Sequence, residues 1–95
     1  MVKYIGLLQF TEEGARAIKD STRRAQAFND ALSGTEVRIV GQYWTIGHYD
    51  GVIILEADSG KEVLHCLSKL VASGAVRSET MQAFEAEEFD KIVGG

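Results

Sequence analysis

An α+β domain, built on a four-stranded antiparallel sheet with the element order β-α-β-β-α-β, is what the hydrophobic pattern of this 95-residue chain predicts. Three observations carry that reading. Two short stretches, residues 4–8 and 52–55, are apolar throughout, as strands buried on both faces are. Two others, residues 35–45 and 75–84, alternate and carry charges, as edge strands do. Between them, the stretches after each apolar run space their apolar residues at helical intervals.

The first strand, KYIGLLQF at 3–10, gives way to Thr11, whose hydroxyl is an N-cap acceptor, with Glu12 and Glu13 in the first turn where the helix dipole favours acids. Ala15, Ile18, Ala25, Phe28 and Leu32 then mark a helical face. Asp20-Ser21 interrupts it, so residues 12–33 read as two short helices or one kinked helix, stopped at Gly34. In the second strand Val37, Ile39, Gly41 and Tyr43 fall on one side. Arg38, Val40, Gln42 and Trp44 fall on the other. Glycines at 47 and 51 bracket a turn, His48-Tyr49-Asp50, before the run Val52-Ile53-Ile54-Leu55. Asp58-Ser59-Gly60 opens a helix with Val63, Leu64, Leu67, Leu70 and Val71 inward, and Ser73-Gly74 ends it. AVRSETMQAF forms the fourth strand, and AEEFDKIV a short terminal helix ending at Gly94-Gly95.

This order is the ferredoxin-like, split-βαβ arrangement, with the first and third strands central. Helices on one face account for only half the burial that continuous apolar central strands imply. With no second helical layer in the sequence, a second subunit is the expected cover, giving two sheets paired face to face in a dimeric α/β barrel. A single domain spanning 1–95 is expected, since the chain shows no repeat, linker or low-complexity segment.

Composition narrows the function classes. The apolar fraction is 45% and the charged fraction 25%, as in an ordinary globular protein. A net charge of −4 argues against nucleic acid as the main partner, because phosphate binding rests on Lys and Arg. Much of the acidic excess lies in Glu85, Glu87, Glu88 and Asp90, read as a solvated helix face. No apolar stretch approaches the length of a membrane span, which needs about 20 residues. The opening residues show no signal peptide, and the single cysteine, Cys66, cannot pair within the chain. A cytoplasmic protein without membrane association is expected.

Four groups of residues are site candidates. In the turn, His48 can act as a general acid or base, Tyr49 can donate to a developing oxyanion, and Asp50 can orient His48 or accept a proton. The same residues also make ordinary hairpin chemistry, with glycines tolerating positive φ and aspartate bonding its own backbone. Arg38, Gln42 and Trp44, expected to face the inter-sheet cavity with Arg77 and Glu79 near them, suit a small aromatic or carboxylate ligand, or an inter-subunit contact. Arg16, Lys19, Arg23 and Arg24 form a basic cluster, read as solvent-facing because no glycine-rich cradle accompanies it. His65 and Cys66, adjacent on a helix, point about 100° apart and do not clamp a metal together. Neither a metal site nor a cofactor is expected, and the nucleotide-binding and nucleophile-elbow motifs are missing.

YIGLLQFTEEGARAIKDSTRRAQAF, GQYWTIGHYDGVIILEA and VRSETMQAFEAEEFDKI together resemble the GYD family of small bacterial and archaeal proteins, essentially end to end. The Gly-Tyr-Asp signature is matched at Tyr49-Asp50, with His48 lying between Gly47 and Tyr49. Thr22 stands where members commonly carry proline. The resemblance implies a ferredoxin-like, dimeric α/β-barrel protein of uncharacterised role. Relatives of that architecture include cofactor-free oxygenases, isomerases and ligand-binding modules. The expected role is therefore a dimeric or larger ligand-binding or assembly module. The alternative is a cofactor-independent enzyme acting on a small aromatic or carbonyl substrate through His48, Tyr49 and Asp50.

Overall fold

The computed structural model describes residues 1–94; Gly95, part of the expected terminal stop, lies outside the described residues. Along the described residues the elements follow in the order β1 (Val2–Phe10), α1 (Glu12–Arg16), a 3₁₀ turn (Ile18–Asp20), α2 (Ser21–Leu32), β2 (Arg38–Trp44), β3 (Gly51–Ala57), α3 (Gly60–Ala72), β4 (Val76–Ala83) and α4 (Ala86–Val93). The sheet is antiparallel with strand order β2-β3-β1-β4, so the two apolar strands are central as expected. The shortest dimension of the molecule is 17 Å, one sheet and one helical layer thick.

The local signals act where the sequence places them. Thr11 Oγ1 accepts from the Gly14 N–H at 3.1 Å and donates to the Gly74 carbonyl at 2.6 Å, tying the start of α1 to the end of α3. Gly14 is buried there, and a Cβ at that position would meet the Ala75 carbonyl oxygen at 2.0 Å. The 12–33 region resolves as two helices joined by the 3₁₀ turn. No proline enforces the break. Instead Arg24 reaches back to donate to the Ala17 carbonyl at 2.8 Å, satisfying a group that the interrupted helix leaves open. Glu62 accepts from the Ser59 N–H at 3.3 Å to cap α3. Gly34 and Gly74, at φ of 85° and 82°, end α2 and α3 in the left-handed region.

The core lies between the helices and one sheet face: Ile53, Leu55 and Ala57 of β3 meet Phe28 and Leu32 of α2, and Val63, Cys66 and Leu67 of α3. Along β3, burial alternates strictly. Ile53 and Leu55 are 1% and 0% exposed, whereas Val52, Ile54 and Glu56 are half-buried on the opposite face.

One expectation about the sheet is corrected. Strict alternation along β2 put Arg38, Gln42 and Trp44 on one face, but a β-bulge between Ile39 and Gly41 inserts Val40 as an extra residue. Ile39 pairs with Leu55 and faces the helices. Beyond the bulge the parity reverses: Gly41 pairs with Ile54 on the open face, while Gln42 and Trp44 pair with Ile53 and Gly51 on the helical face. Arg38 is therefore parted from Gln42 and Trp44.

Candidate functional site

Two surfaces remain after the core is accounted for, one on each side of the sheet. The open face is built from the second residue of every alternating pair. Register places Ile5 and Leu7 of β1 beside Val52 and Ile54 of β3, with Tyr43 and Met81 on the flanking strands. No described helix has its core contacts on this side, so these side chains are half-buried or exposed.

Charged and polar groups frame that apolar centre at both ends. At one end Arg38 donates to Glu56 at 2.8 Å, Lys3 lies 3.7 Å from the same carboxylate, and Lys3 reaches Glu85 at 3.2 Å. The Arg38 hydrogen bond, with Lys3 adding its charge, holds the Glu56 carboxyl below the usual carboxylate range. At the other end the Tyr49 hydroxyl donates to Glu79 of β4 in a short hydrogen bond, which together with the carboxylate's charge pushes the phenol upward.

The turn residues divide their tasks. Asp50 Oδ2 accepts from the Phe10 N–H at 2.8 Å, and its own N–H donates to the Leu8 carbonyl at 2.8 Å, so Asp50 extends the ladder onto the end of β1. The His48 carbonyl accepts from Gln9 Nε2 at 2.9 Å. The His48 ring stands edge-on to Tyr49, with centroids 4.9 Å apart, and is exposed. Gly47 has a φ of 139°, as turn chemistry predicts, while Gly51 is buried in β3 close to the Tyr43 carbonyl. Asp50 and the His48 ring are thus engaged with different neighbours, and the contacts of this turn join it to β1 and β4.

The helical face holds the second surface. Trp44 Nε1 donates to Ser21 Oγ at 2.9 Å, and Gln42 Oε1 accepts from Asn29 Nδ2 at 3.2 Å, so both side chains lean onto α2. Beside them a cavity of about 340 Å³ opens between α2, the last turns of α3 and the sheet. Ala25, Phe28, Ile53 and Leu70 line it, with Arg24, Trp44 and Lys69 among its polar or amphipathic neighbours. Sequence reading did not find this groove. Its one sequence trace is the small residues Ala25, Ala27 and Ala31 on α2.

The remaining candidates are scattered. Arg16 pairs with Glu12, Arg23 lies 3.4 Å from Asp20, and Arg24 turns inward, so the helix break disperses the basic cluster. Cys66 is buried, and burial pushes its thiol above the ordinary range, while His65 is exposed. Among the described residues no group of three His, Cys, Asp or Glu gathers at metal-binding distance, and no helix is long and apolar enough to cross a membrane.

Comparison with known proteins bears on the fold and the family. A Thermus thermophilus protein named glutamine synthetase and cystathionine beta-lyase binding protein is 31% identical over 84 residues, covering 87% of this chain and 88% of the relative. The crystal structure of a second-named Thermus thermophilus protein, TTHA0845, superposes with a TM-score of 0.58 at 23% identity, covering 90% of this chain and 96% of that one. A hypothetical protein from Pyrococcus horikoshii superposes with a TM-score of 0.56 at 18% identity, covering 90% and 92%. These two structures share the fold. The family model described as the GYD domain matches residues 4–93, and the chain belongs to that family.

Proposed function

We propose that this chain is an assembly module that pairs with a second copy of itself through the open sheet face, and that the paired unit docks on a larger protein. The observation that carries the reading is the layout of that face, an apolar centre between polar ends. Protein interfaces are built that way, with a dry centre and a solvated rim. A two-fold contact must be self-complementary, and the face offers both signs: Lys3, Arg38 and Arg77 against Glu56 and Glu79. The small size of the domain favours the same reading, since a chain of this length buries a limited core alone.

A relative named for binding two enzymes supports the second half of the proposal. The engagement of Asp50 with the β1 backbone supports a positioning role for the turn. The test is sedimentation of the protein and of Ile54→Lys at micromolar concentration. A dimer or larger species is expected for the unmodified chain, and a folded monomer for the variant. A monomeric unmodified chain overturns the proposal.

A further inference from the structure

We infer that the groove between α2 and α3, on the helical side of the sheet, binds a small, flat apolar molecule carrying one anionic group. This site is separate from the open face and does not depend on its pairing.

A well-packed domain leaves few voids larger than a water molecule. A cavity of about 340 Å³ is far beyond that and lies at the small end of the range for ligand sites. Its origin is structural. α2 presents alanines at 25 and 31 toward the sheet, so the two helices leave a gap that no side chain fills. The walls are aromatic and aliphatic: Phe10, Phe28, Ile53 and Leu70, the surroundings that suit a flat hydrophobic body. Trp44 stands at one wall with its indole N–H fixed on Ser21, leaving the ring as a stacking surface.

The charged groups on the lining select the polar end of the ligand. Arg24 is held in place by the Ala17 carbonyl through one nitrogen, which fixes its guanidinium at the groove. Lys69 makes no ion pair among the described residues. Asp50 is the one carboxylate on the lining among the described residues, and it already accepts the Phe10 N–H. Two cations against one engaged carboxylate favour a carboxylate or sulfonate over a cationic head. The bulge in β2 is what makes the site, because it carries Gln42 and Trp44 to this face.

The chain has one tryptophan, and it lines the groove, so binding has an internal reporter. Anilinonaphthalene sulfonate and its uncharged counterpart phenylnaphthylamine share an aromatic body and differ in the anionic group. Titration of each, followed by Trp44 quenching and energy transfer, is expected to show a single site that prefers the sulfonate. Ala25→Phe, and separately Ala31→Leu at the more exposed rim, should weaken sulfonate binding by about tenfold or more, the cost of filling part of the space. Lys69→Gln should weaken the sulfonate by about threefold and leave phenylnaphthylamine unchanged, as expected for a partly solvated charge. Sulfonate binding that is unchanged in both filling variants, or that is lost in Ile54→Lys and kept in Ala25→Phe, overturns the site. Equal affinity for the two dyes overturns the anionic assignment.

Discussion

The two faces of the β-sheet are made from the same strands and end in opposite states. Along β3, Ile53 and Leu55 are sealed under the helices, while Ile54, between them in sequence, is half-buried on the open side. Chemically the residues are interchangeable. What separates them is the pleat, which turns successive side chains to opposite faces, and the helices, which cover only one. On the helical face apolar burial stabilises the fold of the single chain. On the open face the same apolar content stabilises the fold little and is available for association.

The sharpest way to break that comparison is to shift the strand that switches between faces. Deleting Val40 removes the bulge and forces one segment of β2 to turn over. Either Arg38 and Ile39 exchange faces, or Gln42 and Trp44 move to the open side. Loss of the native fold is expected, read by denaturant unfolding together with a changed Trp44 emission, because a one-residue slip moves every side chain beyond it to the wrong face. A variant with native stability and unchanged Trp44 emission would show that the bulge is dispensable.

Next in size is the contrast within β3. Leu55→Ala should cost about 3 kcal/mol, since it opens a cavity in a fully buried site. Ile54→Ala, measured in dilute solution, should cost about 1 kcal/mol or less, because half of its surface is already wet. Chemical denaturation of both variants checks the difference. Similar costs for the two would mean that the faces are equally buried in the folded chain.

Asp50 joins the two faces at the hairpin end. Asp50→Ala removes the acceptor for the Phe10 N–H and should cost about 1.5 kcal/mol, as expected for a hydrogen bond to a charged group. Asp50→Asn, which keeps an acceptor, should recover part of it. Equal losses in the two variants would assign the effect to charge instead of to the cap.

The smallest effect concerns the polar rim of the open face. Arg38 and Lys3 hold the Glu56 carboxyl below its ordinary range. A carboxyl with a folded-state pKa lower than its unfolded one adds stability that is complete above the unfolded value, about 4.3, and is lost as pH falls through the folded value. Unfolding midpoints measured across the acid range should therefore fall less steeply in Glu56→Gln than in the unmodified protein. Parallel acid profiles would remove Glu56 from the account.

Much of the fold was legible along the chain. Central and edge strands were told apart by continuous against alternating apolar residues, and Thr11, Gly34 and Gly74 marked helix ends that the backbone confirms. The break near Asp20-Ser21 was also legible, although Arg24 and the Ala17 carbonyl, rather than a proline, support it. Of the candidate site, the sequence named Arg38, Trp44, Tyr49 and Asp50 but not their neighbours. Glu79 was placed near the cavity, yet its bond to Tyr49 spans the sheet from a loop and leaves no periodic signal. The groove between the helices was missed for a similar reason, since a void is a property of what two elements fail to fill.

Periodicity by itself determined the element order, the strand positions and the presence of a sheet face without its own helices, because those follow from local spacing of apolar residues. Only the tertiary structure decided which residues share a face. Val40 reads as one more step of an alternating strand, and only pairing against β3 shows that it is extra. Register is a relation between two strands, so one strand's sequence does not contain it.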